Sequence, residues 1–152
     1  QLIENGILKN YLVDTYNGKK LNLKSNGRSG GTTNLYFENG KISYEELLKK
    51  NFRSLYVTET IGHGSNLVTG DYSVGATGFL VEDGEFKYPV NEITIAGNFK
   101  DMFKNIILAN DLEFEYSVNS PTMMIEGMTV AGKWAIIASL ALEFPEQQLQ
   151  IY

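Results

Sequence analysis

The sequence predicts an α+β domain that is dominated by antiparallel β-strands, with two or three short helices. Three observations predict this class. β-Branched and aromatic residues recur in short runs, glycine-containing turn pairs separate those runs, and two segments carry clear helix-start signals. The chain has 152 residues, including nine Tyr and eight Phe, a length that suits one domain with a buried core.

Asn-Gly pairs punctuate the first forty residues and indicate turns. The four pairs stand at residues 5–6, 17–18, 26–27 and 39–40. Asparagine and glycine both tolerate the positive φ angles of a type I′ turn, so we expect two or three of the pairs to turn a hairpin. Residues 7–16 then predict one strand, residues 35–38 predict another, and the polar residues 21–33 predict an exposed loop.

The helix-start signals lie in the middle of the chain. Ser43 followed by Glu46 forms a capping box, which predicts a short helix from that point. Asn98 is suited to cap a second helix, with Asp101 in its first turn. Apolar residues recur at helical spacing in this second segment and predict a stripe that faces the core: Phe99, Met102, Phe103, Ile106 and Ile107.

Five runs that are rich in β-branched or aromatic residues predict the sheet. These runs are residues 54–60, 72–81, 85–88, 92–96 and 122–130. Asp83-Gly84 predicts a hairpin turn between the second run and the third. Sequential strands joined by such short turns indicate antiparallel pairing.

The balance of charge argues against nucleic acids and membranes as partners. Lys and Arg number 13 against 18 Asp and Glu, which gives a formal net charge of −5. On average such a surface repels phosphate backbones and anionic lipid. The longest apolar stretch, residues 134–142, is also far shorter than the roughly 20 residues that a membrane helix needs. We therefore expect a soluble chain without direct contact to nucleic acid or membrane.

The scarcity of metal-binding residues excludes several kinds of site. The chain has no Cys and one His. A hydrolytic zinc helix needs two histidines one turn apart, and structural zinc sites need Cys and His ligands in fours. Neither site can be built here, and thiol nucleophiles and disulfides are excluded with them. A site made only of carboxylates stays open, although Asp and Glu are scattered along the chain.

The most unusual segment is the Gly-rich stretch of residues 58–79, TETIGHGSNLVTGDYSVGATGF. It is not a dinucleotide fingerprint, because Leu67 stands where the third glycine belongs. It also lacks the Gly-Lys-Ser/Thr of a phosphate loop. A serine-nucleophile constellation is an alternative that only geometry tests, and its members would be His63, Ser65, Asp71 and Ser73.

Two interpretations of this loop stay open. Its glycines simply shape a tight loop and the strand after it, or the loop also contacts a peptide or a partner protein. On the second interpretation, four polar side chains are the candidates for that contact: His63, Asn66, Thr69 and Asp71. No residue is assigned a catalytic or metal-binding role.

Residues 56–106 read YVTETIGHGSNLVTGDYSVGATGFLVEDGEFKYPVNEITIAGNFKDMFKNI, and the segments ANDLEF and SPTMMIEGMTVAG follow. Together with ILKNYLVDTYNGKKLNLKSNG before them, they resemble the C-terminal region of the TldD/PmbA peptidase family. The resemblance is collinear and assigns residues 1–133 to a TldD/PmbA-like C-terminal domain. Residues 134–152 form an unmatched tail, in which residues 134–142 are either a short helix that Pro145 ends or foreign sequence.

The resemblance implies a cytoplasmic, heteromeric metallopeptidase that cuts unstructured peptides, including the leader of a peptide antibiotic and an antitoxin. In that family the TldD subunit carries zinc through an HExxxH helix upstream of this region, with a Cys from its C-terminal domain. The PmbA-type (TldE) subunit shares the fold and carries no metal. This chain has neither the Cys nor the insertion that bears it, and its GHGSNLVTGDYSVGATG loop has the PmbA-type wording.

We therefore expect a non-catalytic, PmbA/TldE-like chain that binds no cofactor itself. Its expected partners are a zinc-carrying TldD-like subunit, unfolded peptide substrates and, as a further option, copies of itself. One alternative is an independent binding module that acts on DNA gyrase or an antitoxin, which the family's older name, modulator of DNA gyrase, suggests. Another is autonomous peptide hydrolysis through carboxylates.

Overall fold

The computed structural model describes residues 1–28, 31–132 and 147–151. Within these residues lie ten strands and three helices. In chain order they are β1 (Ile3–Glu4), β2 (Ile7–Leu8), α1 (Thr15–Leu21), β3 (Leu35–Tyr36), α2 (Tyr44–Leu48), β4 (Arg53–Ile61), β5 (Asp71–Glu82), β6 (Glu85–Asn98), α3 (Phe99–Met102), β7 (Ile106–Leu108), β8 (Val118–Asn119), β9 (Met123–Gly132) and β10 (Gln147–Ile151). The predicted class, an α+β fold with a mostly antiparallel sheet and short helices, is confirmed.

The chain divides into two compact units. The first comprises Gln1–Phe37 and Phe114–Asn119, and the second comprises Glu38–Glu113 and the chain from Ser120 onward. The first unit holds the β1–β2 hairpin, helix α1 and a parallel pair formed by β3 and β8. The second holds the main sheet together with α2 and α3.

One of the four Asn-Gly pairs turns a hairpin, fewer than the two or three expected. Asn5 (φ +49°) and Gly6 (φ +76°) join β1 to β2. The pair at residues 17–18 lies inside α1, so the predicted strand over residues 7–16 is wrong beyond Leu8. A helix forms there instead of a strand because the Asp14 carboxylate caps its first turn. This carboxylate accepts a 2.6 Å hydrogen bond from the Asn17 backbone N–H.

The main sheet has the strand order β10-β4-β5-β6-β9-β7. Neighbouring strands from β4 to β7 are antiparallel, and β10 runs parallel to β4. Because β10 also pairs with β9 in antiparallel fashion, β4, β5, β6, β9 and β10 form a closed ring. The Asp83-Gly84 hairpin is confirmed, with φ angles of +53° and +79°. The predicted strands 85–88 and 92–96 are parts of the single strand β6.

The helix after Asn98 is much shorter than its apolar spacing predicts. The cap itself is confirmed, because Asn98 Oδ1 accepts a 3.1 Å hydrogen bond from the Lys100 N–H. However, α3 ends at Met102, and Ile106 and Ile107 belong to β7, where they pair with β9. Two neighbouring β-branched residues favour a strand when a partner strand is within reach, and that tertiary pairing overrides the helical period.

The core of the second unit consists of two clusters of buried side chains. The larger cluster lines the ring of strands and includes Leu55, Leu80, Ile93 and Met128, all at most 2% exposed. In the smaller cluster Leu47 and Leu48 of α2 pack with Val81 and Met124. Helix α2 begins as predicted, because Ser43 and Glu46 form the reciprocal capping box.

The predicted helix over residues 134–142 and its end at Pro145 lie outside the described residues. Strand β10 follows at Gln147, where no pattern in the sequence indicated a strand. Within the part of the chain that the structure describes, no helix is long and apolar enough to cross a membrane.

Candidate functional site

The Gly-rich loop joins β4 to β5 and begins with a close approach between two backbone segments. The Ser73 N–H donates a 2.8 Å hydrogen bond to Gly64 O, and the Asn66 N–H donates one of 2.8 Å to Asp71 O. A Cβ atom at position 64 would lie 1.6 Å from Ser73 O. Only glycine fits at that position, so this glycine has a steric reason to be in the sequence.

The tip of the loop is held by the side chain of Asn66. Its Oδ1 accepts hydrogen bonds from the backbone N–H groups of Val68 (3.0 Å) and Thr69 (3.3 Å). The Gly70 N–H closes the turn by donating to Asn66 O at 2.8 Å, and Gly70 has a φ of +85°. Such a self-bonded asparagine fixes a turn without any contribution from packing.

The base of the loop is held by the carboxylate of Asp71. Thr69 Oγ1 donates to Asp71 Oδ2 at 2.7 Å, and Asn98 Nδ2 donates to Asp71 Oδ1 at 3.1 Å. These hydrogen bonds, the one from Thr69 first, hold the pKa of Asp71 below its ordinary value. Asn98 also donates to Thr69 O at 3.2 Å, which fastens the loop to the end of β6.

Three of the four candidate residues from the sequence therefore come together, and their polar groups serve the loop itself. Asn66, Thr69 and Asp71 bond to the loop backbone, to one another and to Asn98. His63 is exposed and makes no hydrogen bond to a described residue. The loop is thus held by its own hydrogen bonds, and the exposed groups that take no part in them are His63, Ser65 and the two apolar residues at its tip.

Those two apolar residues were not among the candidates. Leu67 is 86% exposed and Val68 is 95% exposed, although both are aliphatic. Exposed aliphatic side chains on a turn that cannot bend away are typical of contact surfaces. The sequence carried one usable signal, namely that an apolar pair stands between an Asn and a Thr-Gly in an otherwise polar loop.

Asn98 was also missed as a part of this loop, because its expected role was that of a helix cap. Counting outward from the Asp83-Gly84 turn would place Ala96 opposite Asp71. The observed partner of Asp71 is Asn98, two residues further, because β5 and β6 contain two register shifts. Bulges of this kind leave no reliable mark in a sequence, so the pairing required the structure.

The geometry does not assemble a hydrolytic centre in this loop. His63 makes no hydrogen bond to Ser65 or Ser73, and the Asp71 carboxylate is occupied by Thr69 and Asn98. Elsewhere in the unit, burial raises the pKa of Tyr44 to about 12, so its phenol stays protonated and is no general base at neutral pH. Among the residues that the structure describes, no three His, Cys, Asp or Glu side chains are grouped so that they could hold a metal ion.

Comparison with known proteins places this domain. Residues 1–132 match the family model of the PmbA/TldA metallopeptidase C-terminal domain. The chain is 44% identical over 133 residues to the metalloprotease PmbA of Escherichia coli O157:H7, and 45% identical over 134 residues to a PmbA homologue of Haemophilus influenzae. Each alignment covers 87% of this chain and 30% of the relative, so the chain spans about a third of those proteins' length.

A TldD homologue of Buchnera aphidicola is more distant, at 24% identity over 157 residues that cover 86% of this chain. That alignment is longer than the one with PmbA for almost the same share of this chain, so the TldD homologue has residues without a counterpart here. Among solved structures, a candidate modulator of a DNA gyrase from Thermotoga maritima has 36% identity and a TM-score of 0.76. The superposition covers 86% of this chain and 32% of the Thermotoga maritima protein.

A second candidate modulator of DNA gyrase, from Bacteroides thetaiotaomicron, has 30% identity and the same TM-score of 0.76. The superposition covers 86% of this chain and 30% of the Bacteroides thetaiotaomicron protein. The family model, the PmbA relatives and the solved structures each match 86–87% of this chain. The chain therefore belongs to the PmbA/TldD metallopeptidase family, and residues 1–132 correspond to its C-terminal domain.

Proposed function

We propose that the chain is the C-terminal part of a PmbA/TldE-type subunit that lacks a catalytic metal and works beside a TldD-like subunit in the cytoplasm. The TldD-like subunit carries the zinc, and the complex degrades or matures unstructured peptides. The present chain contributes structure and guides the substrate, so none of its residues takes part in the bond-breaking step.

The observation that carries this proposal is the missing Cys, because the resemblance places the TldD-type Cys ligand in this domain and the HExxxH helix upstream of it. The name metallopeptidase implies a hydrolytic metal ion, which in zinc peptidases is held by three protein ligands beside an activated water. This chain has one His and no Cys, and the described residues contain no group of three suitable side chains. The residues present do not fit such a metal, so no step of hydrolysis is derived through them.

The relation to the two kinds of family member supports the same assignment. Identity to the PmbA relatives is 44–45%, against 24% to the TldD homologue. The TldD homologue also has extra residues within its alignment. The resemblance places the Cys ligand of TldD-type chains on an inserted segment of this domain. The present chain has no counterpart of those extra residues, which supports its assignment to the PmbA type.

The loop of residues 62–71 is our candidate for the contact with substrate or partner. Hydrogen bonds of its polar groups brace it, and it presents Leu67 and Val68 beside the polar His63 and Ser65 to its surroundings. A preformed apolar tip binds without the entropic cost of ordering a flexible loop. Contact through aliphatic groups also requires no particular side-chain sequence in an unfolded peptide, which suits a peptidase of broad range.

The test uses the heteromer of this chain with the TldD-like subunit of the same organism. Leu67→Asp/Val68→Asp places two charges on the exposed tip without touching the hydrogen bonds of the loop. We expect peptidase activity on an unfolded peptide to fall about tenfold, as charges replace apolar contact. The matched control is Phe52→Asp, since Phe52 is an exposed apolar residue (70%) on another part of the unit. Full activity and normal assembly in the double variant would refute the role of the loop.

The names of the structural relatives favour one second candidate, a binding module that acts on a topoisomerase. A pull-down with this chain in the absence of any TldD-like protein separates the two functions. Capture of purified gyrase subunits would support the binding module, whereas capture of the TldD-like subunit alone supports the peptidase. Autonomous hydrolysis through carboxylates is tested by incubating the chain with an unfolded peptide, with and without a chelator, and we expect no cleavage in either sample.

A further inference from the structure

We propose that the gap between β4 and β9 is a binding site for one extended peptide strand, and that β10 occupies this site as an internal competitor. The inference rests on the proposed function in one respect, namely that the natural occupant is an unfolded peptide. The site itself is argued from the sheet alone.

Strand β10 is held from both sides by main-chain pairing. On the β4 side it runs parallel, with Gln150 opposite Ser54 and Ile151 opposite Leu55. On the β9 side it runs antiparallel, with Gln147, Gln148 and Leu149 opposite Val130, Thr129 and Met128. β4 and β9 do not pair with each other in the described residues, so the two strands form the walls of a slot one strand wide.

The occupant of the slot comes from outside the domain that defines the family. The family model ends at residue 132, at the end of β9, whereas β10 begins at Gln147. Fourteen residues (133–146) join these antiparallel neighbours, although two residues suffice for the β5–β6 hairpin. β10 is therefore distant in sequence from the strand that it pairs with, and without it β4 and β9 would present two facing strand edges with unsatisfied backbone groups.

One wall of the slot keeps an unused polar group. Ser54 is fully buried, and its Oγ has no hydrogen-bond partner. An unpaired buried hydroxyl is costly, and this one lies on β4 at the position where Gln150 of β10 pairs with it.

The chemistry of the slot selects extended backbone rather than sequence. Pairing along two strand edges uses only N–H and C=O groups, as in strand addition to an open sheet edge. A folded protein cannot enter a slot one strand wide. A peptide with proline among its central residues also binds less well, because proline has no backbone N–H to donate to the neighbouring strand. The tethered β10 has a high effective concentration, so in this protein a free peptide binds only when β10 has left.

The first experiment weakens β10 in the full chain and measures binding of a free strand. Gln148→Pro/Gln150→Pro puts one proline opposite each wall, and Gln148→Ala/Gln150→Ala is the matched control that keeps both N–H groups. The probe is a fluorescein-labelled peptide with the sequence of residues 146–152, EQQLQIY. We expect about tenfold tighter binding to the proline variant than to the control. Equal binding, or none with both variants folded by circular dichroism, overturns the proposal.

A second experiment does not depend on the stability of the proline variant. The chain has no Cys, so Thr129→Cys places a unique thiol on the β9 wall. The control is Thr94→Cys on β6, which is exposed where Thr129 is half-buried. The unlabelled probe peptide carries cysteine at the position of Gln148 as a mixed disulfide with 2-thiopyridine, so attack by the protein thiolate forms the peptide–protein disulfide and releases thiopyridone. We expect a mixed disulfide about tenfold faster at position 129, despite its lower exposure, because pairing aligns the two sulfurs.

Equal capture at both positions overturns the proposal. Both experiments use this chain without the TldD-like subunit. Loss of the slot would therefore leave the heteromer and its loop contact intact, and failure of the heteromer would leave peptide capture at position 129 unchanged.

Discussion

The two units of this chain differ sharply in how they use their apolar residues. The second unit buries two clusters, with Leu55 and Leu80 fully enclosed. Among the described residues of the first unit, Val13 is the buried apolar side chain, while Ile3, Leu8 and Tyr16 are each more than half exposed. The second unit is thus stabilised by a core, and the first by turns, caps and short pairings. The lesson is that mutational sensitivity must be concentrated in the second unit.

The largest expected effect compares one leucine from each unit. Leu55→Ala empties a fully enclosed site in the larger cluster and should lower the free energy of unfolding by about 2 to 5 kcal/mol. Leu8→Ala removes a side chain that is 51% exposed on β2 and should change it by about 0.5 kcal/mol at most. Urea denaturation of the two variants measures both values, and equal losses would break the distinction between the units.

A smaller effect tests the close approach at the start of the Gly-rich loop. Gly64→Ala brings a Cβ into contact with Ser73 O, which must move and weaken its pairing, so we expect a loss of about 2 kcal/mol. Gly75→Ala is the control, because its Cβ would meet Ile61 at an ordinary 3.6 Å. Denaturant unfolding compares the two glycines. A neutral Gly64→Ala would show that the loop is not held as described.

A third change should stabilise the protein. Ser54→Ala removes the buried hydroxyl that has no hydrogen-bond partner, and we expect the free energy of unfolding to rise by about 1 kcal/mol. Thermal unfolding of the variant beside the wild-type chain measures the change. Destabilisation instead would mean that the hydroxyl has a partner in the folded protein.

The smallest expected effect is a dependence of stability on pH through Asp71. Hydrogen bonds from Thr69 and Asn98 depress its pKa in the folded state, so this carboxylate contributes stability above its unfolded pKa near 3.8. That contribution is lost as the pH falls through the lower folded-state pKa. The melting temperature of the wild-type chain should therefore drop more between pH 5 and pH 3 than that of Asp71→Asn, by about a degree or two. Parallel pH profiles of the two proteins would contradict the hydrogen-bonded carboxylate.

The sequence predicted best where a structural feature depends on neighbouring residues. The capping box at Ser43, the cap at Asn98 and the turn at Asp83-Gly84 are all local, and all three are confirmed. Helix α1 was missed because its cap at Asp14 stands beside an Asn-Gly pair that mimics a turn. Helix α3 was predicted too long because pairing with β9 decided the state of Ile106 and Ile107.

The candidate contact residues of the Gly-rich loop stay a prediction, and the structure gives three of them hydrogen-bond partners within the molecule. Residue type alone made Asn66, Thr69 and Asp71 attractive as contact groups, because polar loop residues often bind ligands. The structure shows that they bond within the loop and to Asn98, a partner 27 positions away from Asp71 that two register shifts bring into place. The register of β5 and β6 decides which polar side chains find hydrogen-bond partners inside the protein. That register cannot be predicted from the sequence, because no residue pattern marks the two shifts.

The most direct test of the account is the zinc content of this chain on its own. The purified chain is incubated with excess zinc, desalted, and weighed by native mass spectrometry, with peptidase activity on an unfolded peptide assayed in the same sample. With one His and no Cys to serve as ligands, we expect the metal-free mass and no cleavage. A stoichiometric zinc ion that a chelator removes together with peptidase activity would contradict the assignment as the metal-free partner.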